Sequence, residues 1–192
     1  TSVAAFLEAL NQQESLHILT LEDPVEFIYS KSRSLISQRE AGRDFATFGD
    51  AMEQAMRESP DVIMVSELRD SKTVQAVLNA AVTGCLVVAT MHAGSVTEAV
   101  ERIISMVPEA QQALGKSLLA SGLIGVCTQQ LLLGKGGSRY CVVECLKNNE
   151  AVSNIIRSSR YEQLKNVMQS GGIDGMQTME KAVAKLRGNL IQ

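Results

Sequence analysis

The sequence predicts an α/β fold in which helices flank a mostly parallel sheet, with a small helical domain at the C-terminal end. Residues 62–65 and 86–89 are runs of four consecutive apolar residues, and each follows a segment with helical spacing. Strands that are apolar on both faces are typical of parallel sheets covered by helices. After Asn148 the helical spacing continues without a strand pattern. The alternation of helix and strand before that point favours right-handed crossovers between parallel strands.

The individual elements follow from the spacing of apolar residues. Helical spacing predicts helices, and short apolar runs bounded by polar or turn-forming residues predict strands. The predicted helices are 2–10, 45–56, 73–82, 97–104, 110–119 and three short segments at 152–156, 161–168 and 176–186. The predicted strands are 17–21, 35–38, 62–65 and 86–89, and the segments 127–133 and 140–146 are predicted to pair as a hairpin across residues 134–138. We expect a core of residues 1–147 and a helical domain of residues 148–192.

Composition argues against several classes of partner. The formal net charge of -3 provides no basic field for nucleic acid, so no nucleic-acid partner is expected. The longest apolar stretch, 118–126, contains Ser121, Gly122 and Gly125 and falls short of the roughly twenty residues that a spanning helix needs. We therefore expect no direct insertion into a membrane.

The four cysteines have no CxxC spacing, which predicts free thiols and a cytoplasmic protein. Cys141 and Cys145 share one face of a predicted strand, and we expect both to be small core residues. Neither histidine has a cysteine at ligand spacing, so no structural metal site is predicted.

Acidic residues follow two of the predicted strands. Glu22, Asp23 and Glu26 come after strand 17–21, and Glu67 comes after strand 62–65. Because ligands of open parallel sheets bind at the carboxyl ends of the strands, these side chains are expected at one edge. Carboxylates that converge without a basic partner repel one another unless a cation lies between them. They could bind Mg²⁺ through water or orient a water that attacks a phosphate, and a solvated or helix-capping acid is the alternative.

His92 follows the predicted strand 86–89 and reaches the same edge of the sheet. An imidazole there could hydrogen-bond a phosphate group and respond to its loss. A purely structural histidine is the more common alternative.

Four motifs follow one another along the chain. They are LTLEDPVEFIY at 19–29, SQREAGRD at 37–44, PDVIMVSELRD at 60–70 and TGCLVVATMHAGSVTEAVER at 83–102. In this order they resemble the aspartate box, the arginine-bearing link, the Walker B segment and the histidine box of the type II/IV secretion and type IV pilus ATPases. The segments AVSNIIRS at 151–158 and GMQTM at 175–179 resemble the pilus-retraction branch of that family, although Ser153 and Ser158 replace its arginine and its final glutamate. Ser66 and Cys85 stand where the family usually has glycine and histidine.

The resemblance implies a RecA-like P-loop ATPase core and assigns roles to the acidic residues. Glu67 would be the Walker B carboxylate that positions or activates the hydrolytic water. Glu26 would act beside the metal and the γ-phosphate of ATP, and Glu22 and Asp23 would be associated with Mg²⁺.

The resemblance also assigns the basic residues. His92 would sense the γ-phosphate, and Arg39, Arg43 and Arg57 would contact phosphate across or near a subunit boundary, where guanidinium groups stabilise transition-state charge.

At the level of assembly, the resemblance implies a homohexameric motor, peripheral to the inner membrane, that acts on a platform protein of a type IV pilus or secretion system. The family's phosphate loop would precede Thr1, so we expect the 192-residue chain alone to bind and hydrolyse ATP poorly. The alternative is a catalytically inactive structural subunit of such a ring. The acidic and arginine residues of the motifs argue against it, because their burial near one another is costly without nucleotide.

Overall fold

The computed structural model describes residues 2–186 of the chain. These residues form two compact units, one containing residues 2–91 and 106–108, the other containing residues 92–105 and 109–186. The hairpin and the two helices before it group with the C-terminal helices. The boundary at Asn148 drawn from the sequence stays a prediction.

The first unit is built on a parallel sheet. Its strands are β1 (His17–Glu22), β2 (Leu35–Glu40), β3 (Val62–Val65) and β4 (Leu86–Ala89). The order is β2-β1-β3-β4, and each neighbouring pair is parallel. Its helices are α1 (Ser2–Gln13), α2 (Phe48–Ala55) and α3 (Ser71–Ala81). The predicted α/β fold is confirmed.

The buried centre of this unit lies at β1 and β3. Leu19 and Leu21 have no exposed surface, and all four residues of β3 are buried. On one face of the sheet, Leu7 of α1 packs with Ile18 and Val62. Burial of both strands on both faces explains why their sequences are continuously apolar rather than alternating.

Helix α2 begins three residues later than apolar spacing predicted. The Thr47 hydroxyl accepts a hydrogen bond from the Asp50 N–H at 3.2 Å, which satisfies a donor that the first turn of a helix leaves open. The helix therefore begins at Phe48, and a start at Phe45 is wrong. Phe45 still adds apolar contact, because its ring packs edge-on against that of Phe48 with 5.1 Å between ring centres.

The second unit combines a hairpin with helices. The predicted hairpin is confirmed as an antiparallel pair, β5 (Gly125–Leu133) and β6 (Arg139–Lys147). The helices are α4 (Val96–Ser105), α5 (Gln112–Gly122), α6 (Glu150–Arg157), α7 (Leu164–Ser170) and α8 (Met179–Lys185). Gln177 forms one isolated bridge with Cys145, so the C-terminal segment also contains a short extended pairing.

Cys141 does not belong to the core. Its side chain is exposed and that of Cys145 is partly buried, so the expectation of two core cysteines is wrong for Cys141. The hairpin buries its opposite face instead, through Val142, Glu144 and Leu146. Between residues 2 and 186, no helix has the length and apolar character needed to cross a membrane.

Candidate functional site

The carboxyl ends of β1 and β3 lie side by side. Leu21 pairs with Val65 in parallel register, and the Ser66 N–H donates to the Leu21 carbonyl at 2.9 Å just beyond β3. Glu22 is the last residue of β1, and Glu67 lies two residues beyond β3. Glu22 and Glu67 therefore lie at the same edge of the sheet.

Arg69 joins the two acidic segments. Its Nε donates to Glu67 Oε2 at 2.7 Å and its Nη1 donates to Asp23 Oδ2 at 3.0 Å. The hydrogen bond to Glu67, and next the charge of that carboxylate, raise the pKa of Arg69. The interpretation of these acids as a cluster without a basic partner is wrong, because this guanidinium lies between two of them.

Glu22 is turned into the sheet. The residue is 5% exposed, and its Oε1 accepts hydrogen bonds from the Thr20 hydroxyl at 2.7 Å and from Gln38 Nε2 at 2.9 Å. A buried carboxylate is tolerated because these donors replace water. Burial, and next the charge of Glu22, raise the pKa of Tyr29 to about 12. The association of Glu22 with Mg²⁺ stays a prediction.

The loop after β1 is attached to β2. The Val25 N–H donates to Glu40 Oε2 at 2.9 Å, and Gln38 Nε2 donates to the Phe27 carbonyl at 2.8 Å. Glu26 lies between these two attachments with its side chain exposed. These two hydrogen bonds hold the loop on both sides of Glu26. The backbone at Glu26 is therefore fixed, while its carboxylate is exposed to solvent.

The three arginines named from the sequence lie in the same unit. Arg39 pairs with Glu58, and the Arg43 guanidinium contacts Asp44 at 2.8 Å. This contact is the main cause that lowers the pKa of Asp44. Arg57 is exposed in the short 3-10 helix Met56–Glu58. The phosphate roles of all three arginines stay predictions.

The segment that carries Glu67 is fixed at both ends. The Leu68 N–H donates to the Thr90 carbonyl at 2.9 Å, and the Thr90 hydroxyl donates to the Ser66 carbonyl. Asp70 then caps α3, because its Oδ1 accepts the Thr73 N–H at 2.9 Å. Glu67 therefore projects from a backbone that is hydrogen-bonded before and after it.

His92 belongs to the second unit and is exposed. Its carbonyl accepts a hydrogen bond from Arg102 Nη1 at 3.0 Å, which attaches the segment before α4 to that helix. Glu98 adds a second attachment, because its Oε2 accepts the Gly94 N–H at 2.7 Å while its own N–H donates to the Ser95 hydroxyl. This reciprocal arrangement resembles a capping box and fixes the chain that leads from His92 into α4.

Sequence reasoning missed Glu144, which completes the cap of α4. This buried carboxylate accepts the Val96 N–H at 2.8 Å and the Thr128 hydroxyl at 3.2 Å through Oε2. It also missed Arg69, which lies in the motif at 60–70. Its position two residues after Glu67, beyond the end of a buried strand, indicates that Arg69 can reach the same edge of the sheet.

Asp23 and Glu67 are the carboxylates that could bind Mg²⁺ at this edge. Among the described residues, no group of three or more histidine, cysteine, aspartate or glutamate side chains is arranged to hold a metal ion. Mg²⁺ usually keeps several waters and is bound through one or two carboxylates together with substrate phosphates. The acidic edge at Asp23 and Glu67 fits that mode, in which phosphate oxygens supply the remaining ligands.

Comparison with known proteins agrees with the motifs. Residues 1–135 match the family model for type II/IV secretion system proteins. The chain is 38% identical over 186 residues to the type IV pilus retraction ATPase PilT of Pseudomonas aeruginosa, covering 97% of this chain and 54% of that protein. It is 39% identical over 187 residues to a twitching motility protein of Neisseria gonorrhoeae, covering 97% of this chain and 50% of that protein.

A solved structure shows the same fold. The crystal structure of the pilus retraction motor PilT with bound ADP superposes with a TM-score of 0.91 at 38% identity, covering 100% of this chain and 55% of that one. The chain thus spans about half the length of the relatives that it matches. With its fold, its ordered motifs and this similarity, the chain belongs to the type II/IV secretion system protein family.

Proposed function

We propose that the protein containing this chain is an ATP-hydrolysing motor that powers type IV pilus retraction or assembly. The observation that carries the proposal is the contact of Arg69 with both Glu67 and Asp23 at the carboxyl edge of the parallel sheet. The similarity over almost the whole chain to a relative described as a pilus retraction ATPase supports the choice of motor.

Glu67 is the proposed catalytic carboxylate. In phosphoryl transfer the protein contributes chiefly by positioning the attacking water and by stabilising charge. Glu67 suits this task because its backbone is fixed on both sides and one of its oxygens is oriented by Arg69. Bound Mg²⁺ would neutralise charge on the β- and γ-phosphates of ATP. The attacking water would be oriented by the Glu67 carboxylate.

The remaining residues have supporting roles in this proposal. Glu26, exposed on its anchored loop, acts beside the metal, and Asp23 and Glu22 shape the acidic edge. His92 senses the γ-phosphate from the segment before α4. Arg39, Arg43 and Arg57 contact phosphate near a subunit boundary, which requires Arg39 and Arg43 to exchange their present carboxylate partners.

The assembly that we propose is a homohexameric ring on the cytoplasmic side of the inner membrane. Nucleotide turnover would move its subunits against one another, and a membrane platform protein would convert that motion into removal or addition of pilin subunits. Mass measurement of the intact protein in the presence of nucleotide tests the ring, because a persistent monomer contradicts it.

The function is tested by deleting the gene and counting surface pili. Loss of a retraction motor should leave pili extended and abolish surface motility that depends on retraction, whereas loss of an assembly motor should leave cells without pili. Complementation with the wild-type gene should restore the parent phenotype, and complementation with Glu67→Gln should not. Glu101→Gln, which changes an exposed carboxylate of α4, is the matched control and should complement.

Two outcomes would contradict the proposal. Unchanged piliation and motility after deletion would remove the link to pili. Full complementation by Glu67→Gln would instead favour a structural subunit that joins a ring without hydrolysing ATP.

A further inference from the structure

Two cysteines lie opposite each other in the hairpin of the second unit. Cys127 of β5 pairs with Cys145 of β6, and their Sγ atoms are 2.9 Å apart. Cys127 is exposed and Cys145 is partly buried. Two thiols thus touch at the surface of the protein, and neither has a role in the proposed ATPase site.

The backbone around this pair suits a disulfide. The Cys145 N–H donates to the Gln177 carbonyl at 2.9 Å, and the Gln177 N–H donates to the Cys145 carbonyl at 3.1 Å. Because the peptide groups of Cys145 face Gln177, Cys127 and Cys145 form a non-hydrogen-bonded pair of the hairpin. Cα atoms in such pairs are about 4.5 Å apart, which lies within the range of about 4.4 to 6.8 Å that disulfides span. The bond can form in the existing register.

The other two cysteines are placed differently. Cys85 is buried and belongs to the first unit. Cys141 is on the same strand and face as Cys145, but four residues away, which corresponds to roughly 13 Å along a strand. It lies opposite Leu131. The geometry therefore singles out one pair of thiols.

We propose that Cys127 and Cys145 form a modification site that closes into a reversible disulfide when the protein meets a peroxide. The Cys127 thiol releases its proton, and the thiolate sulfur attacks one oxygen of hydrogen peroxide. The O–O bond breaks, Cys127 becomes a sulfenic acid, and the departing hydroxide takes up the released proton and leaves as water. The Cys145 sulfur then displaces that hydroxyl as a second water. Two thiols and one peroxide give one disulfide and two waters, with both electrons passing to the peroxide, and a dithiol reverses the bond.

The order of these steps follows from the environments of the two sulfurs. An exposed thiol meets the oxidant first, and the thiolate is its reactive form. Burial, and next the contact with Cys127, raise the pKa of the Cys145 thiol, so Cys145 acts as the resolving thiol rather than as the first to react. The resulting bond would fix the hairpin next to Glu144, whose carboxylate holds the start of α4.

Peptide mapping of the peroxide-treated protein tests the proposal. The purified protein is treated with near-stoichiometric hydrogen peroxide, remaining thiols are alkylated, and the protein is digested with trypsin. We expect the peptide 117–135, which carries Cys127, to be linked to the peptide 140–147, with the loss of two hydrogen atoms from their summed mass. Dithiothreitol should release both peptides.

Two variants assign the bond, because Cys141 and Cys145 share one tryptic peptide. Cys141→Ser should retain the linkage in full, and Cys127→Ser should abolish it. Mixing isotope-labelled and unlabelled protein before oxidation distinguishes a bond within one chain from a bond between chains.

Four alkylated thiols after treatment would overturn the proposal, because no disulfide would have formed. Loss of the linkage in Cys141→Ser would overturn it as well, since the bond would then involve Cys141. Linked peptides that combine both isotopes would also overturn it, because the bond would join two chains. Oxidation of Cys127 to a sulfinic acid without any linkage would also overturn it, because it would show that Cys145 does not resolve the sulfenic acid.

Discussion

Arg69 Nε lies 2.7 Å from Glu67 Oε2, and Arg69 Nη1 lies 3.0 Å from Asp23 Oδ2, so one guanidinium spans the ends of two neighbouring strands. A planar guanidinium with several fixed donors is suited to hold two carboxylates in a defined arrangement. In the proposed motor, Arg69 is a positioning residue that acts through Glu67.

Arg69→Ala in the intact protein should lower kcat for ATP hydrolysis by roughly 10 to 100-fold, the range typical of residues that orient a ligand from outside the site. Its effect on KM should be smaller, because the hydrogen bond acts on the carboxylate that orients water. Arg69→Lys should recover only part of the activity, since an ammonium lacks the fork geometry. Steady-state phosphate release measures these effects. Arg33→Ala, another exposed arginine of the first unit, is the control, and equal losses in both variants would contradict the positioning role.

Glu144→Ala should destabilise the protein by about 1 to 3 kcal/mol, because it leaves the buried Val96 N–H and Thr128 hydroxyl without their acceptor. Glu144→Gln should cost less, since its amide oxygen can still accept one hydrogen bond. Urea unfolding followed by circular dichroism measures the change. Glu101→Ala removes an exposed carboxylate from α4 and should change stability little, so a similar loss in that control would argue against the capping role of Glu144.

Asp70→Ala should cost about 1 kcal/mol, within the range of roughly 0.5 to 2 kcal/mol for a lost helix cap. The side chain accepts from the Thr73 N–H at 2.9 Å and from the Thr73 hydroxyl at 2.7 Å. Asp70→Asn retains a good capping oxygen and should keep most of the stability. Equal unfolding free energies for wild type and Asp70→Ala would show that α3 does not depend on this cap.

The ion pair between Lys165 and Glu180 should make the free energy of unfolding depend slightly on pH in the acid range. The hydrogen bond from Lys165 is the main cause that lowers the pKa of Glu180 from 4.5 to about 2. A carboxylate with a lowered folded-state pKa stabilises the protein above its unfolded-state pKa, and this contribution is lost as the pH falls from about 4.5 towards 2. Because both side chains are more than half exposed, solvent screens the pair and the contribution to stability should be small.

Unfolding free energies of wild type and Glu180→Gln test this linkage. Their difference at pH 7 should shrink by pH 3, whereas Glu162→Gln, an exposed carboxylate in the short 3-10 helix Tyr161–Gln163, should show no such trend. A difference for Glu180→Gln that is constant over this pH range would contradict the linkage.

Much of the fold could be predicted from the sequence, because the spacing of apolar residues within each segment identifies most of its helices and strands. The uninterrupted apolar run of β3 indicates a strand buried on both faces, and the helix–strand alternation indicates parallel pairing. Apolar spacing predicts a start of α2 at Phe45, whereas the helix begins at Phe48 because Thr47 caps it.

Contacts between segments distant in sequence were harder to predict. Arg69 and Asp23 are 46 positions apart, and Glu144 and Val96 are 48 apart. The spacing of neither pair in the sequence predicts that its two residues are in contact. The contact of Arg69 with Asp23 depends on the order of the strands, and that of Glu144 with Val96 depends on where the hairpin packs. Cys127 and Cys145 meet through strand register, which the hairpin pattern alone did not fix.

In the proposed motor, Glu67 serves catalysis rather than nucleotide binding. The most direct measurement compares Glu67→Gln with the wild type in the intact protein, using equilibrium binding of ATP and steady-state phosphate release on the same samples. The variant should bind ATP within a few-fold of the wild type and release no phosphate above background. Phosphate release at the wild-type rate by a variant that still binds ATP would show that Glu67 is not the catalytic carboxylate.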